Sequence, residues 1–297
     1  MKPMEAHMHV IMGGTGHVGS QAAAALLERG EAVTVVTRDA DHATKLLEKG
    51  AEVAEADIKS VGSLRAAFRR GRRAFLLNPP ADPGTDTDAV EKSTVARILA
   101  ALEGSGLEKV VAESTGGAQP GERIGDLSVL WELEQGLAQQ AIPAAVNRAA
   151  YYMSNWDGML DGVRSTGRLP TMFPADMPIP MVAPKDLGRI AADRLMTGPE
   201  DTGIRYVEGP RRYTSAEVAQ AFSDALGRKV TVDVTPREGW KQAFQAMGFS
   251  DAAAESYAGM TAASVDSNFE VPEEPLRGTT TLETYIRDLV AGNVRLV

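Results

Sequence analysis

Four glycines fall within ten residues in the stretch "VIMGGTGHVG" (residues 10–19), and Gly14, Gly16 and Gly19 keep the spacing Gly-x-Gly-x-x-Gly. Glycine gives up more conformational freedom on folding than any other residue, so a cluster of it marks a sharp turn or a close approach to the backbone. The spacing suits a pyrophosphate. Early glycines permit the turn, absent side chains leave the main chain bare, and a following helix N-terminus offers N–H donors and a positive dipole. Gly13, Gly14, Thr15, Gly16, His17, Val18 and Gly19 would make that contact. The rival phosphate loop of nucleoside triphosphatases needs a lysine after its last glycine, and Ser20 stands there. A purely structural turn is the remaining alternative.

A second position bears on which dinucleotide would bind. At the end of the next predicted strand a carboxylate would bond a ribose hydroxyl, whereas this chain has Thr37 and Arg38, with Asp39 one place further. A planar guanidinium matches a 2′-phosphate, so NADP(H) is the expected cofactor in preference to NAD. Asp57 and Ile58 would edge the adenine, and Asn78, Pro79 and Pro80 would border the nicotinamide ribose. Ser114, near the end of the fifth strand, completes the set. Ligands bind at the carboxyl ends of parallel strands in this architecture, although each position also reads as an ordinary strand-end turn.

The elements that must place these residues alternate. "HVIM" (9–12), "AVTVVTR" (32–38), "AEVAEAD" (51–57), "AFLLN" (74–78), "KVVAEST" (109–115) and "PAAVNRA" (143–149) read as strands. Helical patterns occupy 20–30, 41–50, 60–71, 86–103 and 127–140 between them. Strict alternation implies parallel strands with right-handed crossovers, hence an α/β doubly wound sheet of the Rossmann, NAD(P)-binding type. Residues 1–150 are expected to form that dinucleotide-binding domain, with 184–209 returning to its sheet as one helix and one strand. Residues 151–183 and 210–297 would build a smaller, mainly helical substrate region. The rhythm breaks over 150–182, where Tyr, Trp, Met and Pro cluster without a period, and beyond 214–227 the chain reads as helical or irregular. Thr214 and Glu217 have the spacing of a capping box.

The bulk properties narrow the function classes. A chain of 297 residues with formal net charge −9 lacks the basic balance of a nucleic-acid binder. With no cysteine, disulfides, thiolate metal sites and cysteine nucleophiles are excluded. The four histidines, His7, His9, His17 and His42, have no matched acidic cluster beside them, so no metal site is expected. The first residues lack the apolar run of a signal peptide, and the longest apolar run, 22–27, is too short to cross a bilayer. A cytoplasmic protein, away from membranes, acting on a small molecule and with a homodimer as its candidate assembly, is the expectation.

The segments "GGTGHVG", "VVTRD", "EADIKS", "FLLNPP", "KVVAEST" and "VNRAAYYMSN" occur in the order and spacing of the NmrA-like, atypical short-chain dehydrogenase/reductase proteins. The sequence most resembles their quinone-oxidoreductase and triphenylmethane-reductase branch, and "YTSAEVAQAFSDALGRKV" and "GTTTLETYIRDLV" extend the resemblance over nearly the whole chain. It implies NADP(H) held by the glycine loop and Arg38, with a small pocket built by the C-terminal half. Glu134 and Arg148 match the branch, whereas Leu130 stands where it often has a histidine. The family also includes NADP-sensing regulators that have lost catalysis.

Ordinary alcohol–ketone chemistry lacks its catalyst. Four residues after Tyr151, Tyr152, Tyr206, Tyr213, Tyr257 and Tyr285 stand Asn155, Trp156, Pro210, Glu217, Thr261 and Leu289, so no Tyr-x-x-x-Lys pair exists. Hydride transfer to an electron-poor acceptor needs mainly orientation of the reactants. The expected function is therefore an NADPH-dependent reductase of small aromatic or quinone-like acceptors, against two alternatives: an NADP(H)-sensing protein without turnover, and a sugar-nucleotide epimerase, which normally needs the absent pair. Tyr152, matching the family's Tyr-x-x-Asn with Asn155, is the candidate catalytic hydroxyl, and it could equally pack the domain junction. Trp131, Tyr152, Met153, Asn155, Trp156, Phe173 and Met181, together with Met172, are the candidate lining of an apolar pocket, although most of these types more often belong to a core.

Overall fold

A computed structural model describes residues 8–267, 269 and 271–294; His7 lies outside them. The first half runs β1 (His9–Ile11), α1 (His17–Glu28), β2 (Val33–Thr37), α2 (Thr44–Leu47), β3 (Glu52–Glu55), α3 (Val61–Phe68), β4 (Arg73–Leu76), α4 (Thr87–Leu102), β5 (Lys109–Thr115), α5 (Asp126–Ala138) and β6 (Ala144–Ala149). The second half runs β7 (Tyr151–Tyr152), α6 (Leu160–Thr166), β8 (Arg168–Thr171), β9 (Ile179–Val182), α7 (Pro184–Met196), β10 (Gly203–Glu208), β11 (Arg212–Tyr213), α8 (Ser215–Leu226), β12 (Thr231–Val234), α9 (Trp240–Ala246), α10 (Asp251–Asp266), β13 (Leu276–Arg277) and α11 (Leu282–Val290).

Eight strands form one parallel sheet in the order β13-β10-β6-β5-β4-β1-β2-β3. The order reverses between β1 and β4, which makes the switch point where a doubly wound sheet opens a crevice. Near-continuous apolar runs such as Val33–Thr37, buried at every position, explain why these strands sit inside with helices on both faces. On one face Ala22, Ala23 and Leu26 of α1 and Leu187, Ala191 and Leu195 of α7 pack on Ile11, Phe75 and Val111. On the other, Leu64 and Phe68 of α3, Ile98 of α4 and Leu133 of α5 pack on Val10, Leu76 and Val110. A third core, around Met153, Trp156, Leu169, Ile179, Met181, Phe222 and Ile286, belongs to the second half. The Thr214–Glu217 capping box forms at the start of α8. Among the described residues no helix is long and apolar enough to cross a membrane.

Three local expectations are corrected. The helix read over 41–50 is a 3-10 turn, Ala40–Ala43, followed by the short α2. Asp39 Oδ1 accepts from the Asp41 N–H at 2.9 Å and the Thr44 hydroxyl donates to the Asp41 carbonyl at 2.7 Å, local bonds that compete with a regular helix. The segment 150–182 is not irregular: it holds β7, β8, β9 and α6. The chain beyond 227 is not only helical or irregular either, because β12 pairs with β8 and β13 lies beside β10 on the main sheet. These strands have two to four residues, too few to show a period of two.

Candidate functional site

The glycine loop joins β1 to α1 at the carboxyl edge of the sheet. Its start is tied down by the Met12 N–H, which donates to the Phe75 carbonyl at 3.0 Å, and its turn is closed by the Gly16 N–H donating to the Gly13 carbonyl at 2.9 Å. The glycines have different reasons to be there. Gly13 sits at φ +59°, in the left-handed region. A Cβ at Gly14 would fall 2.5 Å from Val35 Cγ1, and one at Gly19 would fall 2.3 Å from the Gly13 carbonyl oxygen. Those three are needed by the fold itself. Gly16 is not: its φ of −86° suits any residue, and a Cβ there would meet only the Gly13 oxygen, at 3.4 Å. Gly16 is also the N-cap of α1 and supplies no side-chain hydrogen bond to the helix. No side chain therefore caps the positive end of this twelve-residue helix. Val18 is buried, while Thr15 and His17 are half-exposed.

Next along the edge, the end of β2 and the end of β3 border a recess of about 370 Å³ lined by Arg38, Glu55, Ala56 and Asp57. Arg38 is exposed. Its neighbours are committed elsewhere: Thr37 Oγ1 donates to the Asp39 carbonyl at 3.0 Å, and Asp39 caps the 3-10 turn. Asp57 is exposed and its Oδ1 accepts from the Lys59 N–H at 2.9 Å, with Ile58 half-buried beside it. Past β4, Asn78 Oδ1 is buried with no hydrogen-bond partner, and Pro79 and Pro80 follow it without N–H donors of their own. A buried acceptor left unpaired costs about 1–3 kcal/mol, so it marks a place where a partner is missing.

At the end of β5 the Ser114 hydroxyl donates to Glu134 Oε1 at 2.5 Å, and Arg148 grips the same carboxylate through Nε at 2.9 Å and Nη2 at 2.6 Å. Glu134, in turn, holds the Arg148 guanidinium firmly protonated. On the opposite face of β5, Glu113 is buried; Asn147 Nδ2 donates to its Oε2 at 3.5 Å, and Oε1 has no partner. Burial pushes the Glu113 carboxyl well above its ordinary range, with the Asn147 hydrogen bond and the Arg194 charge opposing.

A group of acids lies between α4, α5 and α10. Glu91 of α4 and Asp126, the first residue of α5, lie close enough for each to shift the other's ionisation. The Ala81 N–H donates to Glu91 Oε1 at 2.8 Å. Burial, then the charge of Asp126, pushes Glu91 up to about 8, and burial raises Asp126 as well. Asp88 accepts a short hydrogen bond from the Ser256 hydroxyl, which itself accepts from the Gly125 N–H at 2.9 Å. Tyr152 follows β6 and pairs along β7 with Val182 of β9. Burial raises its phenol well above the ordinary value, with the charges of Glu113 and Asp126 adding to the effect.

With this geometry in place, the chain can be set beside known proteins. The NmrA-like family pattern matches residues 8–286. The chain belongs to the NmrA-like family. It is 25% identical over 249 residues to an NAD(P)H azoreductase of Xenophilus azovorans, covering 84% of each chain. Among solved structures it is similar to the triphenylmethane reductase of Citrobacter sp. complexed with NADP(H), with a TM-score of 0.79 and 19% identity over 95% of this chain and 99% of that one. It is also similar to an NADPH-dependent quinone oxidoreductase of Escherichia coli complexed with NADPH, with a TM-score of 0.78 and 18% identity over 95% and 99%. At such identities the structures share the fold.

Within this NmrA-like frame, Gly13–Gly19, Arg38, Asp57, Ile58, Asn78, Pro79 and Pro80 all stand along one sheet edge, as their places at strand ends require. Ser114 stands there too, but its proton is engaged by Glu134. The apolar set divides. Met153, Trp156, Phe173 and Met181 are at most 8% exposed and belong to the third core, where Tyr151 packs on Trp156 and Phe173 at ring-centroid distances of 5.8 and 5.5 Å. Burial pushes the Tyr151 phenol up to about 12, with the Asn155 side chain opposing the shift. Tyr152 and Trp131 are half-exposed and Asn155 is exposed. Among the described residues no three acids or histidines could hold a metal ion. The paired carboxyls Glu91 and Asp126 escaped sequence reasoning. They lie 35 residues apart in a chain rich in acids, and no local spacing marks them.

Proposed function

We propose that this protein is an NADPH-dependent reductase that transfers a hydride to a small, electron-poor aromatic or quinone-like acceptor. The observation that carries the reading is Gly16. Three loop glycines answer to the fold, whereas Gly16 has room for a side chain and still lacks one. A backbone bared without a packing reason, at an uncapped helix N-terminus, fits a pyrophosphate. The Gly13–Gly19 segment would hold it through main-chain N–H groups. Arg38, exposed at the recess with Asp57 and Ile58 nearby, would take the adenosine 2′-phosphate, and the buried Asn78 Oδ1 would accept from a ribose hydroxyl beside Pro79 and Pro80. When bound, the reduced nicotinamide supplies the hydride.

The chain's own residues then have to orient the acceptor and exclude water. Tyr152, Trp131 and Met172 are the half-exposed members of the apolar set. We assign Tyr152 a positioning contact with the acceptor, and the second half of the chain, 151–183 and 210–297, the role of enclosing it over the dinucleotide-binding half. The relatives named above, an azoreductase, a triphenylmethane reductase and a quinone oxidoreductase, support an acceptor that stabilises incoming electrons itself. The missing Tyr-x-x-x-Lys pair favours the same class, and equally a second reading, an NADP(H) sensor without turnover.

Oxidation of NADPH, followed by its absorbance against a panel of quinones, azo compounds and cationic dyes, separates the two. Turnover of at least one member is expected. Tight binding of NADPH with no turnover of any member would favour the sensor.

A further inference from the structure

Arg38 shares its recess with a side chain of opposite sign. β2 and β3 run side by side, with Thr37 in register beside Glu55, and the Ala56 N–H donates to the Thr37 carbonyl at 3.0 Å. This lacing puts Arg38, the first residue after β2, and Glu55, the last of β3, on the rim of the same 370 Å³ recess. Both side chains are exposed, and among the described residues no ion pair joins either of them to another group.

The rest of the lining is committed. Ala56 is buried and apolar, Asp57 Oδ1 accepts from the Lys59 N–H at 2.9 Å, and Asp39, one place beyond Arg38, caps the 3-10 turn. The recess therefore holds one basic side chain against two acidic ones, and of the two acids Glu55 is the one not tied into a turn.

The two nucleotides differ only here. NADPH brings a phosphate with nearly two negative charges, where NADH has an uncharged hydroxyl. Arg38 would meet that phosphate directly, a charge-assisted contact that changes affinity about tenfold or more. Glu55 acts in the opposite sense and at longer range. A carboxylate about 7 Å from a dianion in water weakens binding by about three- to tenfold at low salt, and the effect fades as ions screen it. The direct contact outweighs the distant charge, so NADPH remains the preferred nucleotide.

We propose that Glu55 is a specificity-determining residue: its carboxylate opposes the 2′-phosphate that Arg38 attracts, and so sets how far the protein prefers NADPH to NADH. The assignment rests on the reading of Arg38 given above. Its consequence is a preference held below what Arg38 alone would give, which keeps NADH usable as a second hydride donor. A structural duty is the rival explanation, because β3 is the outer strand of the sheet and charged residues there deter pairing with another chain. Glu52 fits that duty. It lies at the other end of β3, about 10 Å away, and Arg70 Nη2 donates to it at 2.6 Å. Glu55 differs from it in standing at the recess with no such partner.

Calorimetric titration of NADPH and NADH into Glu55→Gln, at low and at high ionic strength, tests this. At about 20 mM salt NADPH should bind the variant about three- to tenfold more tightly than it binds the native protein, and at about 0.5 M salt the two should agree within about twofold. NADH should bind both proteins within about twofold of each other throughout. Glu55→Lys, which reverses the sign, should move NADPH further in the same direction. Glu52→Gln, the same change at the far end of the strand, should leave the NADPH Kd within about twofold of native. An unchanged NADPH Kd in Glu55→Gln at low salt, or an equal gain for NADH, would overturn the proposal. A native protein that binds neither nucleotide overturns the dinucleotide reading and the role of Glu55 together. A native protein that prefers NADPH, and loses that preference in Arg38→Ala but not in response to any change at Glu55, overturns the role of Glu55 alone.

Discussion

The two halves of the sheet's carboxyl edge solve different problems with different material. From β2 across to β4, the edge is made largely of backbone: bare glycines, a helix start with no side-chain cap and the strand-end turns at Asp57 and Asn78, with Arg38 and Glu55 as the charged side chains at its recess. From β5 to β7, and under α10, it is made of side chains that answer one another: Ser114, Glu134 and Arg148 in one clamp, Glu91 and Asp126 in one pair, Asp88 with Ser256 in another. A dinucleotide presents the same phosphates and riboses to every protein that binds it, so a backbone cradle suffices. The proposed acceptor would have to be met by particular side chains, and those on this side come from distant parts of the chain.

Gly19→Ala breaks the comparison at its structural end. The added methyl would sit 2.3 Å from the Gly13 carbonyl oxygen, which is backbone and has little room to yield. A loss of roughly 3 kcal/mol or more is expected in chemical denaturation, at or beyond the usual range for overpacking. Gly16→Ala should do the opposite. Its methyl has space within the chain, so stability should change by less than about 0.5 kcal/mol, while NADPH affinity falls by roughly 1–3 kcal/mol as the methyl meets the ligand. If both variants behaved alike, the two kinds of glycine would not be distinct.

Arg38→Ala sharpens the cofactor side. A charge-assisted hydrogen bond contributes about 1.5–3 kcal/mol, so NADPH should bind the variant at least about tenfold more weakly while NADH affinity hardly moves. Calorimetric titration of the variant with each nucleotide checks this.

The side-chain half carries a pH signature of its own. Folded, Glu91 keeps its proton to about pH 8; unfolded, it loses it near 4.5. Between these values the folded chain binds more protons than the unfolded one, so the pair's contribution to stability falls as pH rises through that window. Glu91→Gln should remove this slope, narrowing the stability difference between pH 5 and pH 8 by about 1 kcal/mol or more, measured by denaturant unfolding at both. An unchanged slope in the variant would mean that Glu91 ionises normally.

What could be seen in advance follows the same division. The six strands through residue 149 were legible from their apolar runs, and α1, α3, α4 and α5 from their patterns, whereas 41–50 folds as a 3-10 turn and a short helix; the glycine spacing is local. The fold of 150–182 was not, since β7 and β9 have two and four residues and pair with each other across thirty positions, Tyr151 with Met181. Met153, Trp156, Phe173 and Met181 have types that suit a pocket as well as a core, and only packing shows that they fill the third core. The Glu91–Asp126 pair needed three helices to be docked before two unremarkable acids became neighbours.

The central claim is that the bare stretch around Gly16 and the exposed Arg38 together form a site for a 2′-phosphorylated dinucleotide. Isothermal titration of the native protein with NADPH and with NADH tests it most directly. NADPH is expected to bind at least about tenfold tighter than NADH, as a charge-assisted contact to one phosphate implies. Equal affinities, or no heat with either nucleotide, would contradict it.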